Sequence, residues 1–399
     1  MAVVNWRDPW HSLAGGSERY AWEFARALHD AGGSVDFLTA RDAQQRPREV
    51  RDGIRIERRG RQFSFYFWIW LTLLRRRLTG RGYDVVIDAE NGIPVFAPLV
   101  VGRRTAVVLV MHHVHQAQFL TYFPAPLAHV GRFLEGRVMP LVYRNVRTLV
   151  VSESTHREMV RQLGWRKAVQ VVANGTDLPP ATTGDDADPD PAPRLLVFGR
   201  LATHKRVDLV LRAVAELVTD LPELRVDVVG KGPEEERLRA LVDELGLDDV
   251  VVLHGFLPDA DKQDVLHRSR LQVCASDAEG WGQVVIEAAT YGVPTLARDV
   301  PGLQDSIRPG RTGWLVPDAG PAPDAIVQSL VVGIRTALVE LGSAGDRERY
   351  ADACRDWGAR FSWTRMRETV TGVVMEELAR AQPPGSAPHR GAGEQGPHA

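Results

Sequence analysis

The sequence predicts an α/β protein of two domains, each a doubly wound parallel sheet. Three observations carry that expectation. Short Val-rich runs bounded by turn residues alternate with helical patterns, which is how strands covered on both faces by crossover helices read. The alternation stops at a Pro- and Asp-rich stretch and then restarts. At 399 residues the chain is long enough for two cores of ordinary size.

In the first half, "AVVNW" (2–6) reads as a strand, "SERYAWEFARALHDAG" (17–32) as a helix ending at Gly32-Gly33, and "SVDFLTA" (34–40) as the next strand. "DVVIDA" (84–89), "AVVLVMHH" (106–113), "RTLVVSES" (147–154) and "AVQVVANGTD" (168–177) continue the set. The most apolar run, "FSFYFWIWLTLL" (63–74), is too short to cross a bilayer unaided and ends in Arg75-Arg76-Arg77. It reads as a core helix with a basic last turn, which the helix dipole favours. The second reading, behind the core helix, is a segment, 63–77, lying on an anionic membrane surface, and one element can serve both roles.

"LPPATTGDDADPDPAPR" (178–194) has five prolines and four aspartates and almost nothing apolar. The pattern then restarts with "RLLVFGRL", a helix at 206–219, "LRVDVVGKG", a helix near 234–245, "VVLHGFL", "LQVCASD", a helix from about 282, and "PTLARD". These breaks set an N-terminal domain at 1–177, a linker at 178–193, a C-terminal domain at 194–380 and a Pro/Gly-rich disordered tail at 381–399.

Apolar residues at 44% and charged residues at 25% fit a soluble globular protein rather than a disordered or membrane-spanning one. The formal charge of −2 hides an asymmetry: residues 1–177 hold 25 Lys+Arg against 16 Asp+Glu, and the remainder holds 24 against 35. A basic first half and an acidic second half suit two domains that face different partners. Cys274 and Cys354 are too few for a disulfide framework, and a reduced, cytosolic setting fits them. "MAVVNWRDPWH" lacks the charged start and apolar stretch of a signal peptide.

Ligands of open parallel sheets bind beyond the carboxyl ends of strands, so the strand-to-helix junctions were read for chemistry. In "HSLAGGSERY" (11–20), Gly15-Gly16 precedes a helix whose N-terminus can take an anion; a plain tight turn uses the same residues. In "FGRLATHKR" (198–206), Arg200 and Lys205 offer a fork and a point charge suited to a diphosphate, against the plainer reading of two solvated cations. "GKGPEEERL" (230–238) lacks a full dinucleotide fingerprint, its acidic run repels phosphate, and it reads as structural. The backbone of "HGFL" (254–257), at Gly255 and Phe256, can line a base pocket.

"VMHHVHQAQF" (110–119) places three histidines at a strand end. Adjacent His112 and His113 point to opposite faces of a strand, and no Asp or Glu stands nearby in sequence, so a metal site is not expected and a single active-site histidine is.

"DAEGWGQVVIEAATYGVPT" (277–295) holds two glutamates eight positions apart. Glu279 falls on a loop above the sheet edge, and Glu287 falls two turns into a helix on a face shared with Gln283. A solvated Glu279 with Glu287 paired to a core Arg is one reading; carboxylates accepting from the vicinal hydroxyls of a sugar and a ribose are the other.

These pieces in this order resemble the retaining glycosyltransferases of family 4, whose two Rossmann-like domains face each other across a cleft in the fold called GT-B. The likeness rests on Glu279-GWGQVVI-Glu287 followed by "AATYGVP", on Gly15-Gly16, on "GR" with a Lys five residues on (Arg200, Lys205), on "VSES" (151–154) and on "NGTD" (174–177), and spans roughly residues 2–375. It implies a nucleotide-diphosphate sugar held chiefly by domain two. Arg200 and Lys205 would neutralise the diphosphate, where a metal acts in other enzymes. Gly15 and Gly16 would approach the same phosphates, Glu287 would hold the ribose and Glu279 the donor sugar. Backbone N–H groups of Trp281, Gly282, Gln283 and Val284 would lie near sugar and phosphate. His112 matches the family's histidine near the reacting carbon; the next position, often Asp in relatives, is His113 here.

The resemblance implies transfer with retention of configuration, without a metal or other cofactor, to a hydroxyl of a glycan, a lipid-linked or a small-molecule acceptor. The enzyme would be cytoplasmic, peripheral on the inner face of the membrane through 63–77, with no nucleic-acid partner. The last helices would pack back on domain one. The Asp-x-Asp tripeptides at 186–190 lie in the linker rather than after a strand, so no metal is expected there. Two alternatives stay open: a nucleotide-sugar epimerase or hydrolase on the same fold, and a non-catalytic nucleotide-sugar-binding protein.

Overall fold

The computed structural model describes residues 1–12, 14–179, 192–320 and 322–381, the side chains at 121 and 122 apart. The linker and its Asp-x-Asp tripeptides lie almost wholly outside the described residues, as does the tail beyond 381.

Two sheets form. The first contains β1 (Ala2–Val4), β2 (Asp36–Thr39), β3 (Arg48–Arg51), β4 (Ile54–Arg58), β5 (Val85–Glu90), β6 (Ala106–Met111), β7 (Arg147–Val150) and β8 (Gln170–Val171), in the order β3-β4-β2-β1-β5-β6-β7-β8. The second contains β9 (Arg194–Phe198), β10 (Arg225–Val229), β11 (Val251–Gly255), β12 (Leu271–Cys274), β13 (Thr295–Arg298) and β14 (Gly313–Val316), in the order β11-β10-β9-β12-β13-β14. Every pairing is parallel except β3 with β4. The Val-rich strands are buried on both faces because helices cover both faces, as their runs require.

Sequence periodicity missed the hairpin of β3 and β4. Its signal was present: Asp52-Gly53 both take positive φ, at 47° and 76°, the pair of left-handed residues that a two-residue hairpin turn needs. The edge strand β3 alternates exposed and half-buried residues, and β4 buries every second one.

The helix Ser64–Leu78 packs on the sheet as a core helix on one side only. Phe65, Ile69 and Leu73 are buried against the sheet, while Phe67, Leu71 and Leu74 on the opposite side are exposed. Among the described residues no single helix is long and apolar enough to cross a membrane.

The C-terminal helix Trp363–Ala381 crosses back to the first sheet. Trp363, Met366, Val370, Val373 and Val374 are buried in the same cluster as Tyr20, Phe24 and Leu28 of the helix Gly16–Asp30. Each such side chain contributes about 1.5–3 kcal/mol when fully buried. Trp281 and Ile286 of the second domain join that cluster, so the two domains share apolar contacts at the base of the cleft.

Strand order reverses between β1 and β5 in the first sheet and between β9 and β12 in the second. Those two switch points open crevices at the carboxyl ends of the strands, where doubly wound sheets bind ligands.

Candidate active site

In the second domain, β9 ends at Phe198 and the chain turns through Gly199-Arg200 to a short 3-10 turn at Thr203–Lys205. Close packing fixes this turn: a Cβ on Gly230 would fall 1.8 Å from the Gly199 carbonyl oxygen, and one on Gly232 2.0 Å from that of Leu201. The glycines of "GKG" therefore let the turns after β9 and β10 stack backbone on backbone. The resulting crevice is lined by Phe198, Arg200, Lys205, Cys274, Ser276 and Val284.

Lys205 and Glu279 meet in that crevice. Lys205 Nζ donates to Glu279 Oε1, and Ser276 Oγ donates to the same oxygen at 2.8 Å. Burial opposes both charges; for each, the partner outweighs it, holding the Lys205 ammonium above its usual value and the Glu279 carboxyl below. Arg200, by contrast, is exposed and has no ion-pair partner among the described residues. Behind the loop, Arg298 donates to Asp277 at 2.6 Å and to Asp318 at 2.7 Å, and the Asp277 N–H donates to the His204 carbonyl at 2.8 Å. The two loops that carry the crevice are thereby tied together.

Glu287 lies on the helix Gln283–Thr290, at the rim rather than in the core, and accepts from Lys262 Nζ at 2.9 Å. The apolar run around it suggested a core Arg as its protein partner; the structure supplies a Lys from the helix Asp259–Arg268. Gly255 ends β11 and Phe256 follows it, its side chain exposed. Trp281 turns its ring away from the crevice, against Phe361 at 4.9 Å. Gly282 caps the helix at φ 81°, and a Cβ there would lie 2.6 Å from Ser306 Oγ.

The first domain faces this crevice with two segments. Gly15 and Gly16 start the helix Gly16–Asp30, whose first turn is already capped: the Gly15 N–H donates to Glu18 Oε2 at 2.7 Å, and Glu18 Oε1 accepts from Arg7 Nε at 2.9 Å. Gly16 packs against the other domain, a Cβ there lying 2.6 Å from Gln283 Oε1, the far end of a flexible side chain. Asn174 of "NGTD" holds that same oxygen with an Nδ2 donor at 3.2 Å. In "VSES", Ser152 Oγ accepts from the Thr155 N–H at 3.0 Å, and Thr155 Oγ1 donates to the His112 carbonyl at 3.1 Å. Ser154 N–H reaches Asp305 of the second domain at 2.7 Å.

The three histidines after β6 take three different roles. His112 is buried edge-on to Tyr20, with Nε2 lacking a hydrogen-bond partner among the described residues. Burial, reinforced by the charge on His115, lowers it to about 3, so it is a neutral imidazole at ordinary pH. His113 stacks on His115 at 3.9 Å, bonds Gln118 at 2.9 Å, and is likewise held neutral by burial and by its charged neighbour. His115 is the reverse case. Its Nδ1 stands 3.1 Å from Glu90 Oε1 and 3.4 Å from Glu135 Oε1; burial opposes its charge, but these carboxylates raise it to about 10.

This corrects the expectation that no acid stands near the histidines. Parallel pairing of β5 with β6 puts Glu90 level with Met111, and Glu135 arrives from a helical stretch where a π-turn at Leu134–Val138 aims it inward. Glu135 also accepts from the His115 N–H at 2.6 Å and from Gln116 at 2.6 Å. The ligand atoms of Glu90, His115 and Glu135 lie within 4.8 Å of one another, close enough to share a metal ion, and Glu90 Oε2 and His115 Nδ1 lack a hydrogen-bond partner among the described residues. Glu135 stands between Arg132 and Arg137, so its local sequence reads like that of a solvated acid and does not mark it.

The loop that carries Glu279 also approaches the first domain, its Gly280 lying against the His112 backbone. A Cβ on Gly280 would lie 2.7 Å from the His112 carbonyl oxygen, and one on Gly302 2.3 Å from that of Glu279. Arg200 and Lys205 thus line the second-domain crevice, with Glu279 bonded to Lys205 and the following Gly280 packed on the His112 backbone of the first domain.

Two family models match this chain on either side of the linker. The model described as Glycosyltransferase Family 4 matches residues 14–179, and that described as Glycosyl transferases group 1 matches residues 185–330. The chain belongs to the family 4 glycosyltransferases. Its fold is GT-B: it superposes on sucrose-phosphate synthase from Thermosynechococcus elongatus with a TM-score of 0.74 at 20% identity, over 96% of this chain and 99% of that one. It is 34% identical over 184 residues to the "UDP-N-acetylglucosamine--peptide N-acetylglucosaminyltransferase GtfA subunit" of Streptococcus gordonii, an alignment covering 46% of this chain and 35% of that protein. It is 26% identical over 392 residues to the "D-inositol 3-phosphate glycosyltransferase" of Kribbella flavida, covering 90% of this chain and 89% of that one. The chain thus spans well under half the length of the Streptococcus relative it matches and nearly all of the Kribbella one.

Proposed function

We propose that this family 4 chain is a retaining glycosyltransferase that moves a sugar from a nucleoside-diphosphate sugar (UDP-, GDP- or ADP-linked) to an acceptor hydroxyl, without a metal at the diphosphate. One observation carries the reading: Lys205 and Glu279 are paired at the crevice after β9, with exposed, unpaired Arg200 on the same turn and the neutral His112 behind the loop that follows Glu279. Arg200 and Lys205 supply fixed positive charge where a diphosphate leaves, the contribution a divalent ion makes elsewhere. Glu279 exchanges part of its bond to Lys205 for the donor sugar's hydroxyls, and Glu287 exchanges Lys262 for the ribose. Free N–H groups at the start of the helix Gln283–Thr290 face the same phosphates.

In the transfer step the bond from the anomeric carbon to the diphosphate oxygen breaks as the acceptor oxygen attacks from the same face. The leaving phosphate oxygen takes the acceptor's proton, so configuration is retained and no protein base is consumed. His112, uncharged, accepts or donates one hydrogen bond beside the reacting carbon through Nε2. The names of the two relatives point to a UDP-sugar as the first donor to test and to peptide or inositol-phosphate hydroxyls as two of the acceptor classes, beside lipid-linked glycans.

The test is a donor screen read by nucleotide release and by thermal shift, with and without EDTA. Stabilisation by one nucleotide sugar and release unaffected by EDTA are expected. No stabilisation by any donor would sink the transferase reading, and an absolute need for a divalent ion would sink the metal-free step.

A further inference from the structure

We infer that one face of the first domain is a docking surface for an anionic lipid bilayer. It is built from two helices rather than from the 63–77 segment alone. The helix Ser64–Leu78 is apolar nearly all round but is covered on one side only. Its outer side carries Phe67, Trp70, Leu71, Leu74 and Leu78, spaced as one helical stripe, with Phe67 64% and Leu78 76% exposed. At the start of this stripe the exposed Phe63 ring meets that of Phe123, 6.4 Å between centroids. Beyond Phe123 the helix Ala125–Phe133 adds a second outward row of Leu127, Val130 and Phe133, the last 59% exposed. A joined apolar ridge of this extent marks an interaction site rather than scattered surface residues.

The charge around the ridge selects its occupant. Residues 58–152 hold thirteen arginines, no lysine and four acids (Asp84, Asp88, Glu90 and Glu135). Asp88, Glu90 and Glu135 are fully buried, so Asp84 is the one acidic side chain exposed across this whole span. Arg61, Arg75, Arg81, Arg137 and Arg144 are exposed and have no ion-pair partner among the described residues. An apolar stripe edged by unpaired cations and cleared of surface acids fits a negatively charged headgroup layer over shallow acyl chains. A second copy of the chain would bring the same cations against themselves.

The Phe63 end of the ridge lies at the sheet edge where β4 ends, the same edge at which β6 presents His112. Docking there sets the mouth of the crevice beside the bilayer, so acceptors carried by lipid reach it without leaving the membrane. This last point rests on the proposed transfer, but docking itself is measured without donor or acceptor and stands or falls separately.

The test is co-sedimentation of the full chain with phosphatidylglycerol-containing and with pure phosphatidylcholine vesicles, for the wild type, Phe67→Ser/Leu74→Ser and Arg75→Gln/Arg81→Gln. Light scattering after size exclusion reports the oligomeric state of each, and circular dichroism its fold. Binding to the anionic vesicles at least tenfold above the neutral ones is expected, with at least a tenfold loss in each double variant at unchanged fold. Three results would overturn the inference: no wild-type binding to anionic vesicles, equal binding by wild type and both variants, or a concentration-dependent dimer abolished by Phe67→Ser/Leu74→Ser.

Discussion

Lys205 and Glu279, 74 residues apart, are bonded to each other beside the crevice of the second domain, and Ser276 donates to the same carboxylate oxygen. Each is the other's main compensation for burial. In the proposed reaction the diphosphate takes over Lys205 and the donor sugar takes over Glu279, so the pair holds the empty site in a shape ready for exchange.

Breaking this pair should therefore cost both stability and turnover. Lys205→Ala leaves a buried carboxylate uncompensated, which costs up to about 3–5 kcal/mol, and removes transition-state charge worth about 10²–10³-fold in kcat. A double-mutant cycle with Glu279→Gln, read by chemical denaturation and by nucleotide release, should show strong coupling in stability. Near-normal turnover in Lys205→Ala would remove it from the site.

Glu287 and Lys262 should behave differently, because their pair sits at the half-exposed rim. Lys262→Ala should change stability by about 0–1 kcal/mol, as exposed pairs do. Glu287→Ala should raise the donor KM about tenfold or more with kcat nearly held, the signature of lost ground-state binding. Equal loss of kcat would place Glu287 in the chemical step instead.

Gly280→Ala tests the approach of the two domains. Its Cβ would strike the His112 carbonyl, which is backbone and cannot swing aside. Forcing that contact should destabilise by about 1–3 kcal/mol and displace the loop that carries Glu279, lowering kcat more than it raises KM. A variant with wild-type melting and kinetics would show that the loop has slack.

The His115 clamp makes a signed prediction with pH. Its folded value, about 10, lies above the ordinary 6.5, so the stability it contributes is complete below pH 6.5 and is lost as pH rises through about 10. Melting curves of wild type and His115→Gln should therefore differ most near neutrality and converge toward pH 10. A gap that does not change with pH would mean that His115 is not held charged.

His112 and His113 are held below the ordinary histidine range and His115 above it. The pH profile of nucleotide release should accordingly show no inflection near 6.5 from these three. An inflection there that His112→Asn abolishes would overturn the neutral-imidazole role.

What the sequence determined by itself was local. Alternating Val-rich runs and helical stretches give the two doubly wound sheets, because each period depends on a residue's near neighbours. Glu279, Glu287, Arg200, Lys205 and His112 stood out because each breaks a local pattern at a strand-to-helix junction. The Asp52-Gly53 hairpin is equally local, a turn set by two adjacent residues of positive φ.

What only the tertiary structure decided was partnership. Glu90 and Glu135 reach His115 because β5 lies beside β6 and a π-turn rotates Glu135 inward; neither follows from a period of two or of 3.6. Lys262 beside Glu287, Gln283 against Gly16 and Gly280 against His112 depend on how two sheets separately built come to face each other. Local backbone preferences are set within a few residues, whereas charge pairing and close packing are set by strand order and domain approach, and those exist only once the chain has folded.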